Sequence, residues 1–349
     1  LYGGDDMQRY QERTYLSAIE VAQYLKMKVK DVHHLMADGK LPAEISSSGQ
    51  YRFSIKDVDQ LKRNEILATS QSIRMDRITD IDINGTTQRI VIANAQNMND
   101  VEDNSIHLVV TSPPYFNTKM YSHGQMGDLG NIHTLEDWFH EISSVWNEVY
   151  RVLQPGRKFF LNIMNLPVKD GKSYRTLNLV GKSIDLCEKL GFIFKRDIIW
   201  HKTNGVRAPF GTYPYPGSIL LNNMHEFILE FNKPDKLGNR KYVHLTTEQR
   251  EQSKLDKDFW LSLKNSDVWL INPEKSGDGR KHIAPYPLEI PHRLIKAFSF
   301  IGETVLDPFV GAGTTLQAAA NLKRHGIGYE VNPEIAITCY ESLTDKVKM

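Results

Sequence analysis

The chain has 349 residues, 40% hydrophobic and 24% charged, with a formal net charge of +1, enough for one large domain and a small accessory one of ordinary globular composition. It contains no apolar run of the roughly twenty residues that a bilayer-spanning helix needs and no signal peptide, which argues against a membrane partner and for the cytoplasm. A near-neutral balance does not advertise a polyanionic ligand, so contact with nucleic acid has to come from local basic patches.

Leu1 to Asp6, ahead of Met7, read as an expression scar outside the fold. A small module is expected over 7–66. Ser17 followed by Glu20 makes a capping box, and Ile19, Val21, Ala22 and Leu25 supply the apolar stripe of a first helix. A second helix is expected from Lys30 to Asp38, with Val32, Leu35 and Met36 inward and Gly39 as its stop. Ile45 to Phe53, interrupted by Ser46-Ser47-Ser48-Gly49, suits a two-stranded wing, and Ser54 starts a third helix carrying Val58 and Leu61. The run Tyr15–Leu25, the segment Gly39–Ala43 and Tyr51-Arg52-Phe53 resemble the winged helix-turn-helix domains of the excisionase and MerR type. The resemblance implies a second helix in the major groove and a wing on the backbone. Lys28, Lys30, His33 and His34 become candidate groove or phosphate contacts, and Arg52 a wing contact. The alternative is a module that contacts protein or simply packs. The adjacent histidines read as exposed residues rather than ligands, and no metal site is expected in the chain. Residues 67–87, polar and weakly periodic, read as a linker.

From 88 to the end, β-rich runs alternate with helical stretches, which argues for an α/β sheet covered on both faces. Strands are expected at Arg89–Ala93, Ile106–Val110, Lys158–Ile163, Phe192–Trp200, His225–Phe231, Thr304–Leu306 and Gly326–Tyr329. Helices are expected from Leu135 to Leu153, stopped by Gln154-Pro155-Gly156, and from Thr314 to Leu322. Two segments carry chemistry. Asp307-Pro308-Phe309-Val310-Gly311-Ala312-Gly313-Thr314-Thr315 joins a strand to a helix through a glycine turn that lets a ligand approach bare backbone. Glu330, ending the next strand, is placed to accept hydrogen bonds from ribose hydroxyls. Read alone, that pair would suit a nicotinamide dinucleotide as well. Thr111-Ser112-Pro113-Pro114-Tyr115 also follows a strand. Its two prolines remove donors and fix φ, so the local carbonyls and the Ser112 hydroxyl are held ready to accept from an exocyclic amine, with Tyr115 able to stack on its ring.

Together the two segments resemble those of the S-adenosylmethionine-dependent DNA amino-methyltransferases. Their order, with a long insert between, is that of the family's circularly permuted beta group. Arg151–Gly156, Ile198–Lys202, Pro285–Leu288 and Gly328–Glu330 sit where that family carries further signatures. The resemblance implies a Rossmann-like mixed seven-stranded methyltransferase sheet with helices on both faces, S-adenosyl-L-methionine as cofactor and double-stranded DNA as substrate. It assigns the cofactor Asn94, Thr111, Pro285, Asp307, Phe309, Gly311, Gly313, Thr314, Thr315 and Glu330, and the catalytic work Ser112, Pro113, Pro114 and Tyr115. Asn94 stands where an acidic residue is common, and Gly156-Arg157 replaces a common Gly-Gly. Target recognition is expected within an insert at about 203–282, with Trp200, Lys202, Arg207, Arg240, Lys241, Arg280 and Lys281 as candidate DNA contacts.

The base must leave the stack to be reached, and orientation plus electrostatic placement does the rest. No covalent enzyme–base bond is needed. Cys187 and Cys339, the only cysteines, are expected to be buried and reduced. In resembling enzymes a leading Ser commonly accompanies N4-cytosine methylation and a leading Asp N6-adenine methylation. The N4 amine of a flipped cytosine is therefore expected here, with the N6 amine of adenine as the alternative. A catalytically silent DNA-binding regulator and an RNA or small-amine methyltransferase are competing readings. A cognate restriction endonuclease, a nucleoid location and a monomer or homodimer go with the resemblance.

Overall fold

The structure, a computed structural model, describes residues 15–25, 27–45, 51–58, 60–61, 77–114, 116, 132, 134–170, 173–203, 221–235, 238, 242–273 and 286–344. The chain divides into two compact units, Leu1–Met75 and Asp76–Met349.

In the first unit, β1 (Tyr15–Ser17) leads directly into α1 (Ala18–Leu25), α2 (Val29–Ala37), β2 (Glu44–Ile45) and β3 (Tyr51–Ser54). The expected capping box is formed: the Ser17 N–H donates to Glu20 Oε2 at 2.8 Å, and the Glu20 N–H to Ser17 Oγ at 3.4 Å. Gly39 ends the second helix at φ +70°, a conformation with little cost for glycine. The strands form one antiparallel sheet in the order β1-β3-β2. Leu16, Val21, Ala22, Val32, Leu41, Phe53 and Val58 close over a small core.

The second unit opens with a hairpin where a linker was expected. β4 (Ile78–Ile83) turns through Asn84 and Gly85 into β5 (Thr86–Ile92). Both turn residues have positive φ, 54° and 76°, the geometry that matches the twist of a two-residue hairpin. There follow β6 (Ile106–Thr111), α3 (Leu135–Val152), β7 (Leu153–Ile163), the separate hairpin β8 (Leu166–Asp170) and β9 (Ser173–Leu177), α4 (Leu179–Lys189), β10 (Ile193–Lys202) and β11 (His225–Asn232). The chain continues through α5 (Thr247–Gln252), α6 (Lys257–Lys264), β12 (Val268–Ile271), α7 (Glu289–Phe298), β13 (Thr304–Asp307), α8 (Thr314–Asn321), β14 (His325–Glu330) and α9 (Pro333–Thr344).

The main sheet has nine strands, ordered β12-β10-β11-β7-β6-β13-β14-β5-β4, rather than the expected seven. The additions are its two edges: β4 pairs antiparallel with β5, and β12, drawn from the expected recognition insert, pairs parallel with β10. Strands β5, β14, β13, β6 and β7 are parallel, and β11 runs against β7 and β10. Alternation along the strands feeds two cores. Val109, Phe159, Leu161 and Leu229 pack with Trp138, Ile142, Trp146 and Val149 of α3 on one face. Leu108, Val110, Phe160 and Ile228 pack with Ile290 and Leu294 of α7 and Ala318 and Ala319 of α8 on the other.

The described residues of the expected insert between Lys233 and Ser253 attach to the amino edge of the sheet. Lys233 Nζ donates to the carbonyls of Tyr150 and Leu153 at 2.6 and 2.7 Å, closing the end of α3. His244 Nε2 lies 3.0 Å from Glu303, ahead of β13, and Gln249 donates to the Ile301 carbonyl. Among the described residues no helix is long and apolar enough to cross a membrane.

Candidate active site

β6 and β13 are parallel neighbours, with Val305 opposite Leu108 and Leu306 opposite Val109. Their carboxyl ends therefore lie side by side although Ser112 and Asp307 are 195 positions apart in the chain. Thr111 Oγ1 donates to Asp307 Oδ1 at 2.6 Å. Glu330 ends β14, the next strand, and β5 runs beside it into Asn94. The crevice at this edge is where an open α/β sheet accepts ligands.

Asp307 is 2% exposed and its carboxylate is fully engaged by the protein. Oδ1 accepts from Thr111 and from the Phe309 N–H at 3.0 Å. Oδ2 accepts from the Thr315 hydroxyl and lies 3.4 Å from the Tyr286 hydroxyl, which also bonds Thr315. Thr111, the Phe309 N–H and Thr315 thus hold both of its oxygens from within the protein. Asp307, expected as a cofactor contact, ties the loop to β6 and α8. Burial raises its carboxyl above the ordinary range against the opposing pull of those bonds, and raises the Tyr286 hydroxyl further still.

The loop that Asp307 holds turns through Gly311 at φ +51° and Gly313 at φ +89°. The Val310 N–H donates to the Tyr329 carbonyl at 3.0 Å, and Gly328 lets the loop settle on β14: a Cβ there would lie 2.6 Å from Val310 Cγ2. Gly313 caps α8, and Thr315 of its first turn is buried. Phe309 packs edge-on to Trp146 with ring centroids 5.9 Å apart. Asn94 is braced by Gln96, whose side chain bonds Glu141. Glu330 Oε1 accepts from the Asn332 N–H at 2.9 Å while the residue keeps partial exposure at the edge. Bare backbone at a helix start and a carboxylate on the neighbouring strand are a donor and acceptor set that suits a nucleoside. Pro285, expected beside them, lies outside the described residues.

Ser112, Pro113 and Pro114 leave β6 at the same edge, Pro113 buried and the other two half-buried. Tyr115 lies outside the described residues. Sequence reasoning missed the groups next to Ser112. Asn162 of β7 points its amide nitrogen at Ser112 Oγ, 3.4 Å away, and at Glu226 Oε2 of β11, 2.7 Å away. Glu226 Oε1 pairs with Lys202 Nζ of β10 at 2.5 Å. The run Phe159–Ile163 reads as plain strand, and the polar Asn162 inside it was the available signal.

Of the expected DNA contacts, Trp200 is corrected. It is 4% exposed, and its indole N–H donates to the Ile271 carbonyl at 2.9 Å, which places it in the core between β10 and β12. Lys202 is held by Glu226 and sits over the Trp200 ring at 5.1 Å. In the first unit, Lys30, His33 and His34 share an exposed face of α2, and Lys28 precedes it. Arg52 pairs with Glu44 at 2.7 Å and covers Tyr15 at 4.2 Å. Arg207, Arg240, Lys241, Arg280 and Lys281 lie outside the described residues. Cys187 and Cys339 are buried free thiols whose pKa burial pushes up.

A cluster of His107, His244 and Glu303 brings potential metal-ligand atoms within 4.8 Å of one another at the amino edge. His107 Nδ1 accepts from the Thr304 N–H at 3.1 Å, so its Nε2 carries the proton in the neutral ring. The buried Arg157 already pairs with the Glu303 carboxylate. Both facts disfavour a cation there.

The profile of the N6_N4 DNA methylase family matches residues 106–341. The chain belongs to that family. It is 33% identical to the type II methyltransferase M.MjaI of Methanocaldococcus jannaschii over 75% of this chain and 93% of that one. To M.MthZI of Methanothermobacter thermautotrophicus it is 33% identical over 71% of this chain and 74% of the other. Among solved structures, a protein described as a DNA modification methylase from Thermus thermophilus, complexed with S-adenosyl-L-methionine, aligns at 34% identity and a TM-score of 0.58. The alignment covers 74% of this chain and 95% of that one. The cytosine-N4-specific PvuII DNA methyltransferase aligns at 18% identity with a TM-score of 0.54, covering 74% and 90% of the two chains, a likeness of fold.

Proposed function

We propose that this DNA methylase is a site-specific, S-adenosyl-L-methionine-dependent enzyme of the beta group that methylates the N4 amine of a flipped cytosine. The observation that carries the reading is the Thr111–Asp307 hydrogen bond between adjacent strands, because it seats an amine acceptor, Ser112, beside a glycine loop suited to a nucleoside. When bound, the cofactor supplies a methyl group on a positively charged sulfur. The chain's own part is to place the nucleophile. The Ser112 hydroxyl and the carbonyls of Ser112 and Pro113 accept from the base amine and hold it in line, which is catalysis by orientation and electrostatic placement. Gly311, Gly313 and the first turn of α8 admit the cofactor, Glu330 accepts from its ribose hydroxyls, and Asn94 faces its adenine edge. Tyr115 stacks on the extruded base, returning about 1–3 kcal/mol toward the cost of flipping.

A hydroxyl at the head of the tetrapeptide, where a carboxylate would stand in an adenine-type site, favours cytosine; adenine N6 is the second reading. Lys28, Lys30, His33 and His34 on the exposed side of the first unit, read as a winged helix, extend contact to flanking duplex. A cognate restriction endonuclease fits the type II relatives. The test is to methylate mixed-sequence duplex with labelled cofactor and identify the modified nucleoside by mass spectrometry. N4-methylcytosine is expected, and N6-methyladenine would overturn the base assignment. Failure to bind the cofactor by calorimetry would favour a silent DNA-binding regulator. Tyr115→Ala is expected to abolish transfer while sparing cofactor binding; equal loss of both would remove Tyr115 from the base pocket.

A further inference from the structure

Ser112, Asn162, Glu226 and Lys202 form a polar row across four adjacent strands at the carboxyl edge, on one face of the sheet. The register shows it: Thr111 stands opposite Leu161, Asn162 opposite Ile228, and Glu226 opposite Trp200. Each polar residue is two positions from an apolar neighbour of the core that packs on α7 and α8, namely Val110, Phe160, Ile228 and Trp200. Strand alternation therefore aims all four at the same side. Asn162 and Glu226 are 4% and 6% exposed. Buried polar groups in such a position need a reason.

Chemistry fixes the direction of every bond in the row. A carboxylate only accepts, so the side of the Asn162 amide that faces Glu226 must be its NH2. Glu226 is in turn held by the Lys202 ammonium, which stands over the Trp200 ring. The second N–H of the same amide then points at Ser112 Oγ. Ser112 consequently accepts from Asn162 on one lone pair, which leaves its other lone pair and its proton for a further partner. Among the described residues, the buried Asn162 Oδ1 has no hydrogen-bond partner. An orphan buried acceptor is unfavourable, and the amide would be free to turn over were Glu226 not there to forbid it.

Resting on the proposed amine-methylating site, we infer that Asn162, locked by Glu226 and Lys202, is a positioning residue that sets the orientation of the Ser112 hydroxyl toward the target amine. At 4% exposure Asn162 lies behind Ser112 rather than in the open crevice, so its influence passes through Ser112 and should vanish when that hydroxyl is absent.

The experiment is a double-mutant cycle in the full chain, read by single-turnover methylation of duplex DNA, with cofactor affinity and thermal midpoint measured for every variant. Asn162→Ala is expected to lower the methyl-transfer rate by about 10²-fold, with KM for DNA and cofactor affinity little changed. In a Ser112→Ala background the same substitution should change the residual rate by less than ~2-fold, the signature of two groups acting as one unit. Glu226→Gln keeps the shape of the row but lets the Asn162 amide turn; it should slow transfer less than Asn162→Ala and likewise have no effect once Ser112 is Ala. This variant carries the test if Asn162→Ala fails to fold. Equal losses in the two backgrounds, an unchanged rate in the single variants, or a rate loss that follows weakened cofactor binding would each overturn the inference. Full activity of Ser112→Ala alone would instead count against the proposed amine site, so the two failures are distinguishable.

Discussion

Asp307→Ala and Asp307→Asn separate two ways in which this buried carboxylate could hold the glycine loop. Alanine removes the carboxylate that accepts from Thr111, the Phe309 N–H and Thr315 and lies beside Tyr286, leaving Tyr286 only Thr315. A stranded buried polar group costs about 1–3 kcal/mol. Three of the four are hydroxyls that can turn toward one another, so the expected loss is about 3–5 kcal/mol rather than the full sum. Asparagine keeps a carbonyl oxygen for Thr111 and Phe309, and its NH2 meets hydroxyls that can rotate to accept. Burial raises the Asp307 carboxyl above its unfolded value of 3.8. A carboxyl raised in the folded state adds stability below its unfolded pKa and loses it as pH climbs through the folded one, so its charge weakens the fold near neutrality. Removing that charge offsets the poorer acceptor, and Asp307→Asn should stay within about 1 kcal/mol of the native chain. Urea unfolding gives the stabilities, and calorimetric titration with S-adenosylmethionine reports the loop. Alanine is expected to lower both, asparagine to change both little. An asparagine variant as unstable as the alanine one would refute the reasoning, because charge rather than acceptor geometry would then be holding the loop.

Three further outcomes are expected. Gly328→Ala puts a Cβ 2.6 Å from Val310 Cγ2 and 2.7 Å from Val310 Cβ; side-chain rotation cannot move the latter, so the loop must shift at about 1–3 kcal/mol, and native cofactor affinity in this variant would count against the packing argument. Lys233→Met strands the Tyr150 and Leu153 carbonyls at the end of α3, and should cost about 2–3 kcal/mol in urea unfolding without slowing transfer per folded molecule; a stability equal to that of the native chain would dismiss the cap. His107 is lowered by burial from 6.5 to about 4, so the unfolded chain binds its proton first. Stability present above pH 6.5 is lost as pH falls toward 4, by at most about 3 kcal/mol. His107→Gln should flatten that limb, and an unchanged acid slope would mean another group controls it.

Much of the chain is legible locally. The Ser17–Glu20 cap, the Gly39 stop and the positive-φ glycines of the Asp307–Thr315 loop depend on residues within a turn of one another. Sequence spacing reports such features directly. The hairpin at Asn84-Gly85 was equally local, but the mixed charge of 67–87 masked its alternation, Ile81 and Ile83 before the turn and Ile90 and Ile92 after it.

What the residue order settled by itself is the inventory of chemistry: a Ser-Pro-Pro-Tyr segment and a glycine loop, each leaving a strand, and the identity of the family they belong to. Only the tertiary structure decided which residues share the crevice. Strand order is a matter of non-local pairing, and it put Thr111 against Asp307, buried Asp307, sank Trp200 into the core, and drew Asn162, Glu226 and Lys202 to the side of Ser112. A side chain's facing follows from the pleat only once its neighbours are known, because a shift of one residue in register sends it to the opposite face of the sheet.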